Sequence, residues 1–315
     1  GSNNSSVSDA RGDFFLNDML QKFYTKTVDG EGKNRFIGSN VFYKYYDKEK
    51  NKILDVNAGI NYDGNDNTSI HSTVWSASPF EGIKTVSDNQ NREYYLKLDY
   101  SQPVGKNGDQ LEFGGKTNFK NNEMPFHYFN FQNNTWAADG SRTNTFRYTE
   151  NLNSLYANFS KTFFKKLETR IGLRYEYINF TVKQEVGSVE RKDSYGTLMP
   201  DLLLKYSFNE NYNLTATYKH SLWRPWYMEF NPFLMPTENG TYRRGNMDLQ
   251  PNPNDRFGLK LGLYKKYFLT ASYWYSNQDY WTTYFKDGDK TIQMEENIFV
   301  PDQVACCIEA WIVWC

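Results

Sequence analysis

The residues of this chain best equipped for binding chemistry lie between positions 222 and 253. Arg224, Arg243 and Arg244 carry permanent positive charge, Trp226 and Tyr227 offer aromatic faces, and Asn231 adds an amide that both donates and accepts. Guanidinium groups beside aromatic planes are suited to hold an anionic ligand, and aromatic faces alone are suited to a sugar ring. Plain loop charge is the competing reading for the arginines. For the loop aromatics Trp226, Tyr227, Phe230 and Trp136, an interfacial belt stands beside ligand stacking.

Nothing in the chain has the pattern of catalysis. His71, His127 and His220 are scattered, without the spacing of a zinc or acid–base site. Ser207 and Ser221 lie near His220, but no motif surrounds them. Glu168, Arg170, Arg174 and Glu176 alternate along one face, which reads as a solvated ladder of charge on a wet wall. The three cysteines, Cys306, Cys307 and Cys315, sit in the last ten residues with no histidine or Cys-x-x-Cys partner. No enzyme, metal or cofactor is expected.

The elements that must position these residues are hairpins. Leu202–Phe208 and Tyr212–Lys219 each place an apolar residue at every second position, on either side of the turn Asn209–Asn211. The same unit recurs as Phe257–Leu263 with Tyr267–Tyr275, Arg35–Tyr46 with Ile53–Tyr62, and Phe146–Thr162 with Leu167–Lys183. A further pair turns at Pro103–Gly108, and another at Asp287–Asp289. In Ile53–Tyr62 the face opposite Leu54, Val56, Ala58 and Ile60 carries Asp55, Asn57, Gly59 and Asn61, which suits a water-filled lumen better than a protein core. Twelve to fourteen strands follow. Short turns alternate with long loops at 63–91, 121–145, 185–195 and 222–253, the asymmetry of bacterial barrels.

Composition agrees. Tyr (25), Phe (23) and Trp (8) are abundant, yet mean hydropathy is −0.78, as two-faced strands require. No run approaches the roughly eighteen apolar residues of a spanning helix. A membrane passage must therefore use a closed barrel, in which every strand finds backbone partners. The net charge of −1 and the lack of a basic block argue against a nucleic-acid partner. The opening Gly1-Ser2 reads as a tag remnant, so the lack of a leader says nothing of destination. Residues 1–33 read as a linker with a short amphipathic helix over Asp13–Tyr24. Residues 34–300 read as the barrel region. Residues 301–315 read as an atypical tail in which the alternation stops, as from a truncated or shifted reading frame.

Several spaced motifs carry a family resemblance. Arg224-Pro225-Trp226, Asn231-Pro232-Phe233 and Gly245-Asn246-x-x-Leu249-x-Pro251 occur in order, with Tyr148-Thr149-Glu150-Asn151 and Gly172-Leu173-Arg174-Tyr175-Glu176 upstream. Over about Asn34 to Asn297 the chain resembles the outer-membrane β-barrel family of Bacteroidetes type, related to the barrels of TonB-dependent receptors. Met247 departs from it, standing where that family usually has proline. The resemblance implies an all-β antiparallel up-and-down meander, either a whole outer-membrane barrel or an incomplete portion of one. It further implies outer-membrane lipid as surroundings, a nutrient as ligand, and an energy-coupling protein reached through a plug domain. Nothing in the sequence looks like that plug, and related barrels of about 22 strands are longer by several hairpins. Exposed sheet edges would then favour self-association. A soluble β-rich module holding carbohydrate or peptide through aromatic loops is the alternative; it requires the apolar faces to pack on one another.

Overall fold

Each short turn read from the sequence closes an antiparallel hairpin in the computed structural model, which describes residues 1–16, 19–76, 78–105, 109–236, 241–288 and 290–312. The strands are β1 (Ser2–Leu16), β2 (Met19–Asp47), β3 (Lys52–Trp75), β4 (Ser78–Val104), β5 (Asp109–Gln132), β6 (Thr135–Ala138), β7 (Asn144–Phe163), β8 (Leu167–Gln184), β9 (Val189–Ser207), β10 (Tyr212–Trp223), β11 (Met235–Pro236), β12 (Tyr242–Arg243), β13 (Asn252–Leu263), β14 (Tyr267–Asp287) and β15 (Lys290–Ile312). They form one sheet in the order β1-β2-β3-β4-β5-β7-β8-β9-β10-β13-β14-β15-β12-β11, with β6 attached to β5. Every pairing is antiparallel except the short parallel contact of β12 with β15.

Register explains the two faces. Tyr43, Val56, Leu98, Gly115, Leu155, Tyr175 and Leu198 pair successively across β2 to β9, one row of apolar or small residues. One residue along, the row from Asn57 runs through Lys97, Lys116, Ser154, Glu176 and Thr197, all polar. A strand's side-chain period of two keeps these rows on opposite faces. Leu155, Ile171 and Leu198 are 69%, 54% and 54% exposed. The apolar faces therefore point outward, not at one another, and that is the arrangement a lipid-facing band needs. The soluble module required the opposite.

Three expectations change. The helix over Asp13–Tyr24 is absent among the described residues: Ser2–Leu16 pairs with β2, and the linker assigned to 1–33 is strand. Pairing with a long neighbour overrides a local helical spacing. The loops at 63–91, 121–145 and 185–195 are largely strand as well, since β3, β4, β5 and β9 run on into them. About nine to eleven residues cross a bilayer, so strands of this length project beyond it, and the inward face of the upper β5 is covered by the 222–253 segment, with Met124 and Tyr128 buried. Residues 301–312 do not break from the barrel pattern; they continue β15, where Cys306, Ile308 and Ala310 face Tyr273, Ala271 and Leu269. Cys315 lies outside the described residues.

The turn between β7 and β8 offers a local test. Phe164 and Lys165 hold φ of 53° and 58°, left-handed values that side chains other than Gly and Asn adopt at a cost. Replacing the pair with Asn-Gly, the preferred residues of such a turn, should raise stability by about 1 kcal/mol. The urea midpoint in lipid vesicles reads this, and an unchanged or lower midpoint would contradict the turn geometry.

Candidate ligand-binding mouth

β10 ends where Arg224-Pro225 begins, because proline has no N–H to continue the ladder. The chain then makes a single 3-10 turn, Tyr227–Phe230. The Glu229 carboxylate accepts the Trp226 N–H at 2.9 Å and closes the start of that turn. Asn231 is 3% exposed, and its side-chain oxygen accepts the Phe233 N–H at 3.1 Å. The returning arm zips onto this one. The Gly245 N–H donates to the Asn231 carbonyl and the Asn246 N–H to the Glu229 carbonyl, each at 2.6 Å. A Cβ at Gly245 would lie 2.5 Å from the Asn231 nitrogen and the Glu229 oxygen, so only glycine permits the approach. Asn246 in turn accepts the Asp248 N–H at 2.9 Å, the local bond that asparagine favours in turns.

The folded loop drops into the upper lumen and forms a strap. Phe230 and Leu249 enter a cluster with Met124, Phe146, Tyr148, Phe180 and Val182, and Met247 packs against it. Tyr148 stacks on both Phe180 and Phe230, with centroids 5.9 and 6.0 Å away, and those two rings lie 5.3 Å from each other, so the three form a triangle. The Tyr227 hydroxyl reaches the far wall, donating to Asn91 on β4 at 3.3 Å. Burial pushes the Tyr227 phenol above its ordinary pKa, against a lesser opposite effect of Asn91. On the other side the Tyr280 hydroxyl donates to the Gln250 carbonyl at 2.7 Å. The strap thus bridges β4, β7, β8 and β14.

Its ionic anchor is Arg224. The guanidinium bonds Glu176 Oε2, while Glu176 Oε1 accepts from Arg174 Nε at 2.6 Å, and Arg174 Nη2 donates to Ser154 at 3.2 Å. Burial works against the Arg224 charge, but Glu176 and Tyr195 together outweigh it and hold the group above its ordinary pKa. Glu176 is buried, so it is a clamp between β8 and the strap rather than a rung of a solvated ladder. Two motifs separated in sequence, Gly172–Glu176 and Arg224-Pro225-Trp226, meet here.

Of the six residues singled out by chemistry, Arg224, Tyr227 and Asn231 are built into the strap. Trp226 is 56% exposed. Arg243 lies in β12, aligned with Gln293 of β15. Arg244 places its guanidinium 5.3 Å from the Phe285 ring. Asn91 and Tyr280 escaped notice, since neither belongs to a pattern until the strap is seen to reach it, and Glu176 drew notice only as ladder charge and as part of a motif. Beneath the strap lies an open lumen cleft of about 780 Å³ lined by Asp99, Glu112, Tyr156, Arg170, Asp201 and Lys219 among others. Lys97 holds Asp99 at 2.7 Å there, and the Tyr156 hydroxyl also donates to Asp99.

Comparison with known proteins agrees with this geometry. Residues 45–304 match the outer membrane protein beta-barrel family. Among solved structures, a double mutant of the Serratia marcescens hemophore receptor HasR, in complex with its hemophore HasA and heme, aligns over 96% of this chain and 55% of its own. The TM-score is 0.53 and the identity 12%. The copper transporter OprC aligns over 100% of this chain and 60% of its own, with TM-score 0.51 and 12% identity. The chain therefore spans little more than half the length of these structures, and the likeness is one of fold. No curated protein sequence matches the chain.

Proposed function

This chain belongs to the outer membrane protein β-barrel family, and on that premise we propose that it takes up, or binds at the cell surface, a nutrient ligand. It resides in the bacterial outer membrane, its outward apolar rows in lipid. The twelve long strands are about half of those in the plugged 22-stranded transporters, in keeping with the partial coverage of both solved structures. In this reading the barrel is part of a larger receptor, whose plug and energy-coupling protein act on the polar lumen wall. The strap is the observation that carries the proposal: a long crest turned into the mouth gates access to the lumen and offers Trp226 and Arg244 to what arrives. HasR as a hemophore receptor and OprC as a copper transporter support uptake as the kind of task, without naming the ligand.

A strain lacking the full-length protein, grown on limiting nutrients one at a time, tests this. Growth should fail on at least one nutrient. The wild-type gene should restore it, and a Gly245→Ala variant present at equal outer-membrane level should not. Unchanged growth on every nutrient would overturn the uptake reading.

A further inference from the structure

The outward face of the sheet is not a smooth apolar band. Near its upper edge a groove of about 480 Å³ opens across β2 to β5. Small side chains, Ser39, Ala58 and Thr117, make its floor, and Val41, Tyr94 and Phe119 make its walls. The Tyr94 and Phe119 rings stand 6.3 Å apart. A second groove, of about 360 Å³, adjoins the first at Thr117 and runs between Leu155 and Tyr175 over Gly115. Pairing places both on the lipid side: Val41, Ala58, Leu96 and Thr117 are successive partners, and so are Ser39, Ile60, Tyr94 and Phe119. Val41 is 72% exposed and Phe119 41%, so the first groove is open to whatever surrounds the barrel.

The next row up on the same face is polar. Tyr62, Arg92, Asn121, Thr149, Thr181 and Lys192 pair in succession from β3 to β9. Tyr62 and Tyr94 mark the membrane interface, where an aromatic body sits in lipid and its hydroxyl in water. Charge in this belt is mostly paired. Asp66 and Asp88 share Arg35, at 2.5 and 3.5 Å. Arg147 holds Glu123 at 3.0 Å, and Glu190 holds Lys192 at 2.9 Å. Arg92 differs. Its guanidinium donates to the neutral Gln90 amide oxygen at 2.9 Å, and among the described residues it has no carboxylate within ion-pair distance.

An exposed guanidinium without a counter-charge, beside amides and hydroxyls and above apolar grooves, matches a lipid whose headgroup carries phosphate and sugar. The rim that carries the strap faces the cell's exterior, as the long loops of such barrels do, so the lipid belongs to the outer leaflet. We propose that this face holds a molecule of lipid A, the phosphorylated and multiply acylated glucosamine lipid of that leaflet. Its acyl chains lie in the two grooves and a phosphate rests on Arg92. Asn121 and Thr149 then meet the amide and hydroxyl groups of the sugar. An anionic phospholipid offers the same phosphate but no sugar ring to those two side chains. The assignment rests on the outer-membrane placement and is independent of uptake.

Native mass spectrometry of the full-length protein in an amine-oxide detergent tests this. The probes are monophosphoryl lipid A, the same lipid after phosphatase treatment, and dimyristoyl phosphatidylglycerol. Monophosphoryl lipid A should bind, and loss of its phosphate should weaken it about tenfold, the worth of one charge-assisted hydrogen bond. Arg92→Gln should weaken the phosphorylated lipid to the same extent. Ala58→Trp, which fills the larger groove from the lipid side, should weaken both forms of lipid A. Lys192→Gln, in the same row but paired with Glu190, should change nothing. Heat-modifiable migration in SDS shows that each variant is folded. Folded protein that takes no lipid A, or holds it as tightly after Arg92→Gln or after Ala58→Trp, overturns the proposal. So does phosphatidylglycerol held as tightly as lipid A, or an equal loss in Lys192→Gln, since surface charge alone would then attract the lipid.

Discussion

Glu176→Ala should destabilise the barrel by about 3 kcal/mol, near the low end of the range for removing one partner of a buried ion pair. Two guanidinium groups, Arg174 and Arg224, converge on this one buried carboxylate. Removing it leaves like charges facing each other with their donors unmatched. Arg224→Ala should cost less, because Arg174 still serves Glu176, at 2.6 Å. The double variant Glu176→Leu with Arg224→Met keeps volume and removes the buried charge of the pair, so it should recover much of the loss. Urea midpoints of the wild type, Glu176→Leu, Arg224→Met and this double variant form a double-mutant cycle. A coupling near zero would mean that Arg224 is ordinary loop charge and the strap has no ionic anchor.

The second large effect belongs to the outward face. Leu155→Arg should cost about 2–4 kcal/mol, the range for a charge at the bilayer midplane of a barrel. Leu155 sits in the apolar row between Gly115 and Tyr175 and is 69% exposed. In a water-soluble protein the same substitution at so exposed a site would shift stability by no more than about 0.5 kcal/mol. Comparable small effects at 155 and at exposed polar positions would contradict the lipid-facing assignment.

The two variants also separate what was legible in the sequence from what was not. Lipid-facing rows such as Leu167–Tyr177 could be read directly, because alternation with a period of two is imposed wherever one face meets lipid and the other water. The upper halves of β3 and β4 could not be read that way. Polar residues fall on both of their faces, so pairing leaves little trace in polarity, and residues 63–91 looked like loop. Ser2–Leu16 was misread for the same reason, its partner on β2 being the deciding influence. In 301–312 the alternation exists but is carried by Cys306 and Ala310, residues too small or unusual to mark a face.

The strap was half legible. Its residue types drew attention to the 222–253 crest, and the Gly245-Asn246 pair stood out as a motif. That the motif is structural follows only from the approach of Gly245 to the Asn231 backbone, and no local pattern announces a contact fourteen residues away. The ligand-facing expectation for Asn231 meets a side chain enclosed within the loop. Trp226 and Arg244 keep positions from which they can reach a ligand, and they carry that part of the proposal.

Hydrogen exchange across residues 224–250 of the full-length protein in detergent tests the central claim most directly. A strap zipped by the Gly245 and Asn246 amides should protect those two amides about as well as the adjoining strands β10 and β13. Gly245→Ala should abolish that protection and leave the strands unaffected. Exchange of both amides within seconds in the wild-type protein would show an open crest that does not cross the mouth, and the gate proposed here would not exist.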